Sequence, residues 1–457
     1  ITSLPVGTYV VRSSLSGFKT VATRPITLEA KQIARLDFRM EIGALEDMVE
    51  VTAPAPVLQT ESSTVGEVIS GNTVQSLPLN GRNVGQLALL LPGTVTYNPR
   101  GFTNIGSVNM NRPFVNGNRE QTNNFTVDGL DVNETIDNRV AYQPSPDALA
   151  EISVETNNYA ADMGNVGGAA ISNVIKSGGN QLRGNVFEFY RNSDFDANTW
   201  ENNRSGAPRQ ERKQHIYGGT LGGPIVKDKL WFYAANMWQG SGEYTPGVFF
   251  NATQHTSWFY TPDETQRKYT TYDIRDHSGR LTWQATEKQK VGFFTSLQYS
   301  CLCFKLSGGV DANRSPEASI EQRGTPLLTQ FTWQYPSTNR LLFEAGTTFL
   351  RDASRQFPVG GAKAGDIAKE ELATGFKWGA RMEAVGAGND YGNTRYFRIP
   401  YRASLSYVTG SHAFKAGTIG RKASSQINSG PEPFEIPPYR LQVRNGVPAQ
   451  ITMFTTS

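Results

Sequence analysis

Cysteine and histidine are nearly absent: two cysteines, Cys301 and Cys303, and four histidines stand in 457 residues. Two cysteines cannot build a disulfide framework. Their i,i+2 spacing puts both thiols on one face of a strand or in a loop, so they read as incidental cysteines or a strained loop disulfide rather than metal ligands. His215, His255, His277 and His412 lie far apart, with no His-Glu-x-x-His or Cys-x-x-Cys pattern, and no Gly-x-Ser-x-Gly elbow or P-loop appears. Ser16-Gly17-Phe18-Lys19 formally matches Ser-x-x-Lys but sits at a turn without a Lys-Thr-Gly partner. Asp128-Gly129 with Asp131 lacks the Gly and Glu positions of an EF-hand and reads as a turn. No catalytic residue, metal ligand or cofactor site is therefore expected.

Charge is scarce too. Charged residues make up 19%, and Lys+Arg 44 against Asp+Glu 41 leaves +3, too weak a field to grip a nucleic-acid backbone. The mean hydropathy of −0.43 thus comes from uncharged Asn, Gln, Ser, Thr and Gly. No run approaches the ~18 apolar residues of a membrane helix. The opening Ile1-Thr2-Ser3-Leu4-Pro5 has no basic n-region, so the chain reads as starting inside a domain. What it does have is 45 glycines and 11% aromatics, favouring turn-rich β structure, with length for about three domains.

Along the chain, short strand signals around Tyr9-Val10-Val11 and Ile26-Thr27-Leu28 precede Gln32 to Met40, where Ala34, Leu36, Phe38 and Met40 alternate with Arg35, Asp37 and Arg39. This predicts a small β-sandwich missing its first strands. The acidic, β-branched run Glu46 to Ala53 leads into Pro54-Ala55-Pro56, an exposed extended segment. From Val57 to about Gly179 short strands mix with one helix, Val84 to Leu91, ended by Pro92-Gly93. Polar loops rich in Asn and Gly run through the rest of that α+β region.

After Arg183 the texture becomes nine segments of about ten residues with period-2 alternation. They are Arg183 to Asn192, Gln214 to Gly223, Lys229 to Gln239, Asp276 to Thr286, Lys290 to Ser300, Pro326 to Tyr335, Arg340 to Arg351, Tyr396 to Val408 and Ser411 to Gly420. In the clearest, Phe397, Ile399, Tyr401, Ala403, Leu405 and Tyr407 oppose Arg398, Pro400, Arg402, Ser404 and Ser406. Length, small uncharged polar faces and aromatic ends suit transmembrane β-strands better than the ~5–6-residue strands of globular sheets.

Ordered motifs carry a family resemblance through most of the chain. Leu4-Pro5-Val6-Gly7-Thr8-Tyr9 and Ser16-Gly17-Phe18-Lys19 resemble a carboxypeptidase-regulatory-like domain. Leu77-Pro78-Leu79-Asn80-Gly81-Arg82-Asn83, Leu91-Pro92-Gly93, Phe114 to Arg119, Val127-Asp128-Gly129, Glu151 to Val154 and Gly167 to Gly178 resemble a plug. Phe187 to Asn192, Gly222 to Lys229 and Tyr407 to His412 resemble barrel entries. Together they are similar to TonB-dependent outer-membrane receptors of the Oar-like branch. An Arg-Gly-Pro of siderophore receptors is replaced by Thr156-Asn157-Asn158-Tyr159, so iron-siderophore specificity does not carry over.

The resemblance implies a mainly β chain: a partial regulatory-like sandwich over 1–44, a TonB-box-like segment and linker over 45–56, a plug over 57–180 and an incomplete antiparallel transmembrane barrel over 181–457. Such receptors form 22-stranded barrels around a plug, and nine strands at about 30 residues each read as a piece truncated at both ends. It implies import of an extracellular small molecule or oligosaccharide, a carbohydrate or siderophore, through an outer membrane whose lipid surrounds the barrel. Asp47, Met48, Val49, Glu50 and Val51 would be captured by a TonB-like periplasmic partner through β-augmentation; an ordinary linker or last sandwich strand is the plainer reading of that run. Asn104, Asn109, Asn111, Arg112, Asn116, Asn123 and Asn124 are candidate substrate contacts through neutral hydrogen bonds, against a reading as loop filler or plug-to-barrel packing. The rival function is a surface adhesion or structural β-protein without transport.

Overall fold

The computed structural model describes residues 7–28, 36, 38–43, 48–51, 65–96, 113–135, 138, 140–206, 208–209, 211–305, 313–359, 361–382, 391–409, 412–429 and 435–454. At the N-terminal end Gly7–Tyr9 pairs antiparallel with Ile26–Leu28, and Arg12–Ser13 with Thr20–Thr23. The other edge of Thr20–Thr23 carries Met48–Val51 in parallel. Leu36, Phe38 and Met40, read from the sequence as strand, lie in irregular backbone, because that edge is already taken; the rest of Gln32 to Arg35, with Asp37, lies outside the described residues.

An inner body follows. Its five-stranded sheet runs in the order Leu130–Asp131, Asn124–Val127, Ala170–Ile175, Leu149–Asn157, Val65–Ser70. The expected helix after Asn83 is a 3-10 helix, Val84–Leu90, whose Asn83 side chain accepts from the Gly85 N–H at 2.9 Å. A second short helix, Gly71–Ser76, has poor intrinsic helix formers and depends on its Ser70 cap and on burial of Val74. At Asp128 (φ 48°) and Gly129 (φ 76°) the chain makes the two-residue turn that both left-handed positions require. The core joins Val74, Leu87, Val127, Leu149 and Ile152 to Phe294, Leu328 and Leu350 of the next element.

That element is one antiparallel sheet wrapped against the inner body. Its strands are Arg183–Asn192, Arg212–Val226, Leu230–Asn251, Pro262–Gln284, Lys290–Lys305, the interrupted pair Ile320–Gly324 and Leu327–Pro336, Leu341–Pro358, Gly392–Thr409 and His412–Ser429. Every alternating segment read from the sequence lies in one of them to within two residues at its ends, Ser411 lying outside the described residues. The strands reach further than the alternation does: Leu230–Asn251 has 22 residues and Pro262–Gln284 has 23. Polar residues such as Thr270 and Thr271, opposite Glu243 and Gly242, continue the pairing without an apolar face to announce it, and the register shifts between Arg267 and Asp263. Pro326 has no N–H to give the ladder and splits the sixth strand, hiding its upper half from sequence reading.

Short connections at 227–229, 285–289 and 337–340 alternate with long ones at 193–211, 252–261 and 359–391, the pattern of periplasmic turns and extracellular loops. On the outward face Trp283, Trp333 and Tyr407 lie toward the short turns, while Tyr217, Trp238, Tyr299 and Tyr401 lie some six to eight residues higher, about 15–20 Å at ~3.3 Å per residue and ~40° tilt. These are two aromatic girdles around an apolar band.

Above the rim, loops build a second sheet from Phe376–Trp378, Ala368–Glu371, Tyr439–Arg444 and Val447–Met453. Its core includes Ile320, Met382, Tyr391 and Ile436. Glu370 accepts from Arg440 at 2.8 Å and Gln442 at 2.7 Å. Burial alone would raise the Glu370 carboxyl, but those hydrogen bonds outweigh it and hold the group below its ordinary value. A depressed carboxylate contributes stability that is present above its unfolded value near 4.5 and is lost as pH falls through the lower folded value. Trp378 fluorescence should therefore report loosening of this sheet on acidification below about pH 4.5, with the transition weakened in Glu370→Gln. An identical acid profile in that variant would remove Glu370 from the explanation.

Candidate functional site

The inner body meets the barrel wall through charged groups at two places. The first is the Asp128-Gly129 hairpin. Arg280 of the wall pairs with Asp128 at 3.1 Å and donates to the Ile175 carbonyl at 2.7 Å. Arg398 pairs with Asp131 at 2.6 Å and donates to the carbonyls of Asn133 at 2.5 Å and Glu134 at 3.3 Å. Arg402 reaches the Gly129 carbonyl at 3.2 Å, and Gln330 the Val127 carbonyl at 3.1 Å. Burial pushes the Asp131 carboxyl above its ordinary value, with the Arg398 guanidinium pulling the other way.

The second place is around Asp147. Arg82, from the Leu77 to Asn83 motif, pairs with it at 2.5 Å, and both side chains are buried. The Arg82 guanidinium also lies 4.3 Å from the Phe189 ring and 5.1 Å from Phe187, on the first barrel strand. Asn185 of that strand donates to the Asp147 carboxylate at 3.3 Å, and the Tyr233 hydroxyl to its carbonyl at 2.9 Å. Lys176 donates to the same carbonyl at 3.0 Å; burial lowers its amine below the ordinary value, with Asp147 opposing.

These contacts are incompletely satisfied. The buried Nε atoms of Arg82, Arg280, Arg398 and Arg402 have no hydrogen-bond partner among the described residues. Charge taken out of water without full pairing is costly, so such an interface holds position without binding tightly.

The candidate substrate asparagines fare differently. Asn104, Asn109, Asn111 and Arg112 lie outside the described residues, as does Asp47 of the coupling segment. Asn116 (φ 51°) forms a turn with Gly117 and donates to the Thr156 carbonyl at 2.9 Å. Asn123, fully buried, donates to the carbonyls of Pro113 at 2.7 Å and Glu120 at 3.0 Å and accepts from the Ala169 N–H at 2.7 Å. Asn124 donates to the Gly164 carbonyl at 3.0 Å and accepts from Asn133 at 3.1 Å. The structure thus gathers these three around one set of loops, with their amides engaged by the inner body itself. Met48, Val49, Glu50 and Val51 form the strand beside Thr20–Thr23. Cys301 and Cys303 form a disulfide, and the Cys301 sulfur lies 3.7 Å from a Glu321 oxygen.

Sequence reading placed Arg82 in a motif, Asp131 in a turn and Arg398 on the polar face of a strand, and gave neither these nor Asp147 and Arg280 a contact between inner body and wall. The available signal was an arginine at an inward position among small uncharged neighbours, as at Arg398 and Arg402.

Three comparisons bear on this architecture. Residues 174–241 match the family described as an outer membrane beta barrel domain. Over 244 residues, 51% of this chain and 22% of the relative, the sequence is 28% identical to the TonB-dependent transporter Oar of Myxococcus xanthus. The outer membrane transporter YddB of Escherichia coli superposes with a TM-score of 0.58 at 12% identity, covering 86% of this chain and 52% of that one. A mutant of the ferric enterobactin receptor PfeA of Pseudomonas aeruginosa, in complex with enterobactin, gives 0.51 at 11% identity over 80% and 50%. The chain thus spans about half the length of these two structures.

Proposed function

We propose that this chain, whose sequence kinship and barrel are those of the TonB-dependent outer-membrane receptors, serves energy-coupled import of an extracellular solute. In this reading residues 57–180 are the plug, 181–457 contribute part of the barrel, 1–44 are a regulatory-like domain, and Asp47 to Val51 are the handle that a TonB-like periplasmic protein takes by β-augmentation. The observation that carries it is the inner body on the inward face of a lipid-facing sheet, held by under-satisfied pairs such as Arg398–Asp131. A stopper must stay in place at rest and yield to a pull; beside the apolar contact with Phe294, Leu328 and Leu350, these pairs fix position while adding little net adhesion. Asn116, Asn123 and Asn124 would brace the loops that face the incoming solute, a carbohydrate, siderophore or similar small molecule. The chain has no catalytic role in this scheme.

The test is binding of a synthetic peptide spanning Gly43 to Pro56 to the purified C-terminal domain of the coupling protein. Saturable binding that is lost when Val49 is replaced by proline is expected, since proline removes an N–H from the pairing strand. A peptide that does not bind ends the coupling reading.

A further inference from the structure

We infer that the outward face of the wall, just above its upper aromatic girdle, carries a binding site for a phosphorylated glycolipid of the surrounding leaflet. Arg323, Arg351, Arg355 and Arg395 build it, with Lys422 at its margin. The inference rests on the lipid-facing reading of the wall and is independent of how the inner body is coupled. On Leu341–Pro358 the outward series rises from Phe349 to Arg351, Ala353 and Arg355, and on Gly392–Thr409 from Tyr401 through Ile399 and Phe397 to Arg395. Arg351 faces Phe397 and Ala353 faces Arg395, so Arg395 sits diagonally between Arg351 and Arg355. On the other side Arg323 stands directly opposite Arg355, and beyond Gly392–Thr409 Lys422 faces Ile399. All five basic side chains are exposed.

Cations packed this way repel one another. Like charges directly opposite destabilise a sheet, and the diagonal spacing of ~7–8 Å is within one Debye length. Glu321 is the one outward carboxylate among the described residues of these strands, and Arg323 already engages it while lying 5.5 Å from the Phe357 ring. Arg351, Arg355 and Arg395 have no ion pair among the described residues. By contrast Arg275, outward on a neighbouring part of the wall, is neutralised by Asp273 at 2.7 Å. An anion from outside the chain resolves the repulsion, and planar guanidinium forks match phosphate oxygens through paired hydrogen bonds. Height selects the carrier of that anion. Counted from the short turns, Tyr401 is eight residues up its strand, Arg351 ten, and Arg355 and Arg395 fourteen. The cations therefore span about 5–15 Å above the girdle. The polar layer of a phospholipid leaflet is only about 5–8 Å deep, whereas phosphates borne on a sugar headgroup occupy the thicker layer these residues reach. Beneath them Phe349 and Phe397 pack edge to face at 4.9 Å, an apolar ground for the acyl chains.

The experiment titrates the full chain in detergent with diphosphoryl lipid A, with dephosphorylated lipid A and phosphatidylglycerol in parallel, and counts bound lipid by native mass spectrometry. Wild type should bind lipid A about tenfold or more tightly than either comparison lipid. Arg355→Gln/Arg395→Gln should weaken lipid A binding about tenfold or more through loss of charge-assisted hydrogen bonds. Arg340→Gln, at a short turn on the other side of the wall, should leave it unchanged. Thermal melts keep the test independent of folding. Without lipid A the double variant should melt no lower than wild type, because it relieves the repulsion around Arg355, and lipid A should raise the melting temperature of wild type alone. Equal lipid A affinity in wild type and double variant, or equal affinity for lipid A and either comparison lipid, overturns the inference. Displacement of lipid A by inorganic phosphate overturns it in favour of a site for free anions, and a double variant that melts lower without lipid A makes these arginines structural instead.

Discussion

Arg398→Ala is expected to destabilise the seating of the inner body by about 3–5 kcal/mol, the range for breaking one side of a buried pair. The Arg398 side chain is 2% exposed, and its guanidinium serves the Asp131 carboxylate and two backbone carbonyls. Alanine would leave all three acceptors in a site with little water. Arg421 is no substitute, because it stands 3.9 Å from Asp131 and is half exposed. The pair itself adds little net stability, since desolvation offsets most of its attraction; its value lies in position. Arg398→Met with Asp131→Leu should therefore recover most of the loss. Thermal melts in detergent, with limited proteolysis of the inner body, give the double-mutant cycle. A single-variant cost below about 1 kcal/mol would mean that this pair does not seat the body.

The nine-stranded wall was legible because lipid outside and packed polar groups inside impose period 2 on the residues themselves. Phe397 to Tyr407 shows it without interruption. Legibility stopped where the cause stopped: above the rim both faces are polar, and at Pro326 a missing N–H interrupts a strand that geometry continues. The order of motifs foretold the inner body, but the roles of its polar residues were not foretold. An asparagine that binds a solute and one that ties down a loop, as Asn123 does, have the same chemistry and neighbours in sequence. Arg398 and Asp131 are separated by 267 positions, and nothing local marks them as partners. The extracellular sheet was equally silent, because Ala368–Glu371 pairs in parallel with Tyr439–Arg444 across a long separation and neither strand exceeds six residues.

Phe331→Arg separates the membrane reading from the adhesion reading most sharply. Phe331 is 51% exposed on the outward face, two residues inside the Trp333 girdle, with its ring 5.0 Å from Phe293. In water a large apolar side chain so exposed gains little from its surroundings. Exchange for arginine would then cost under about 1 kcal/mol, chiefly the lost ring contact. In a bilayer the same position faces hydrocarbon, and the charge must reach the interface or be desolvated. The expected cost is about 2 kcal/mol, toward the lower end of the ~2–4 found at the midplane of outer-membrane barrels because the girdle is near enough for the side chain to snorkel. The neighbouring Gln330 points inward, is 1% exposed and bonds Thr348, so the contrast between adjacent positions reads sidedness directly. Folding into lipid vesicles under urea titration gives the number, with Phe331→Leu as the control that should fold normally. An arginine tolerated as well as leucine in vesicles would show that this face does not meet lipid, and the wall would then be a soluble sheet around its inner body.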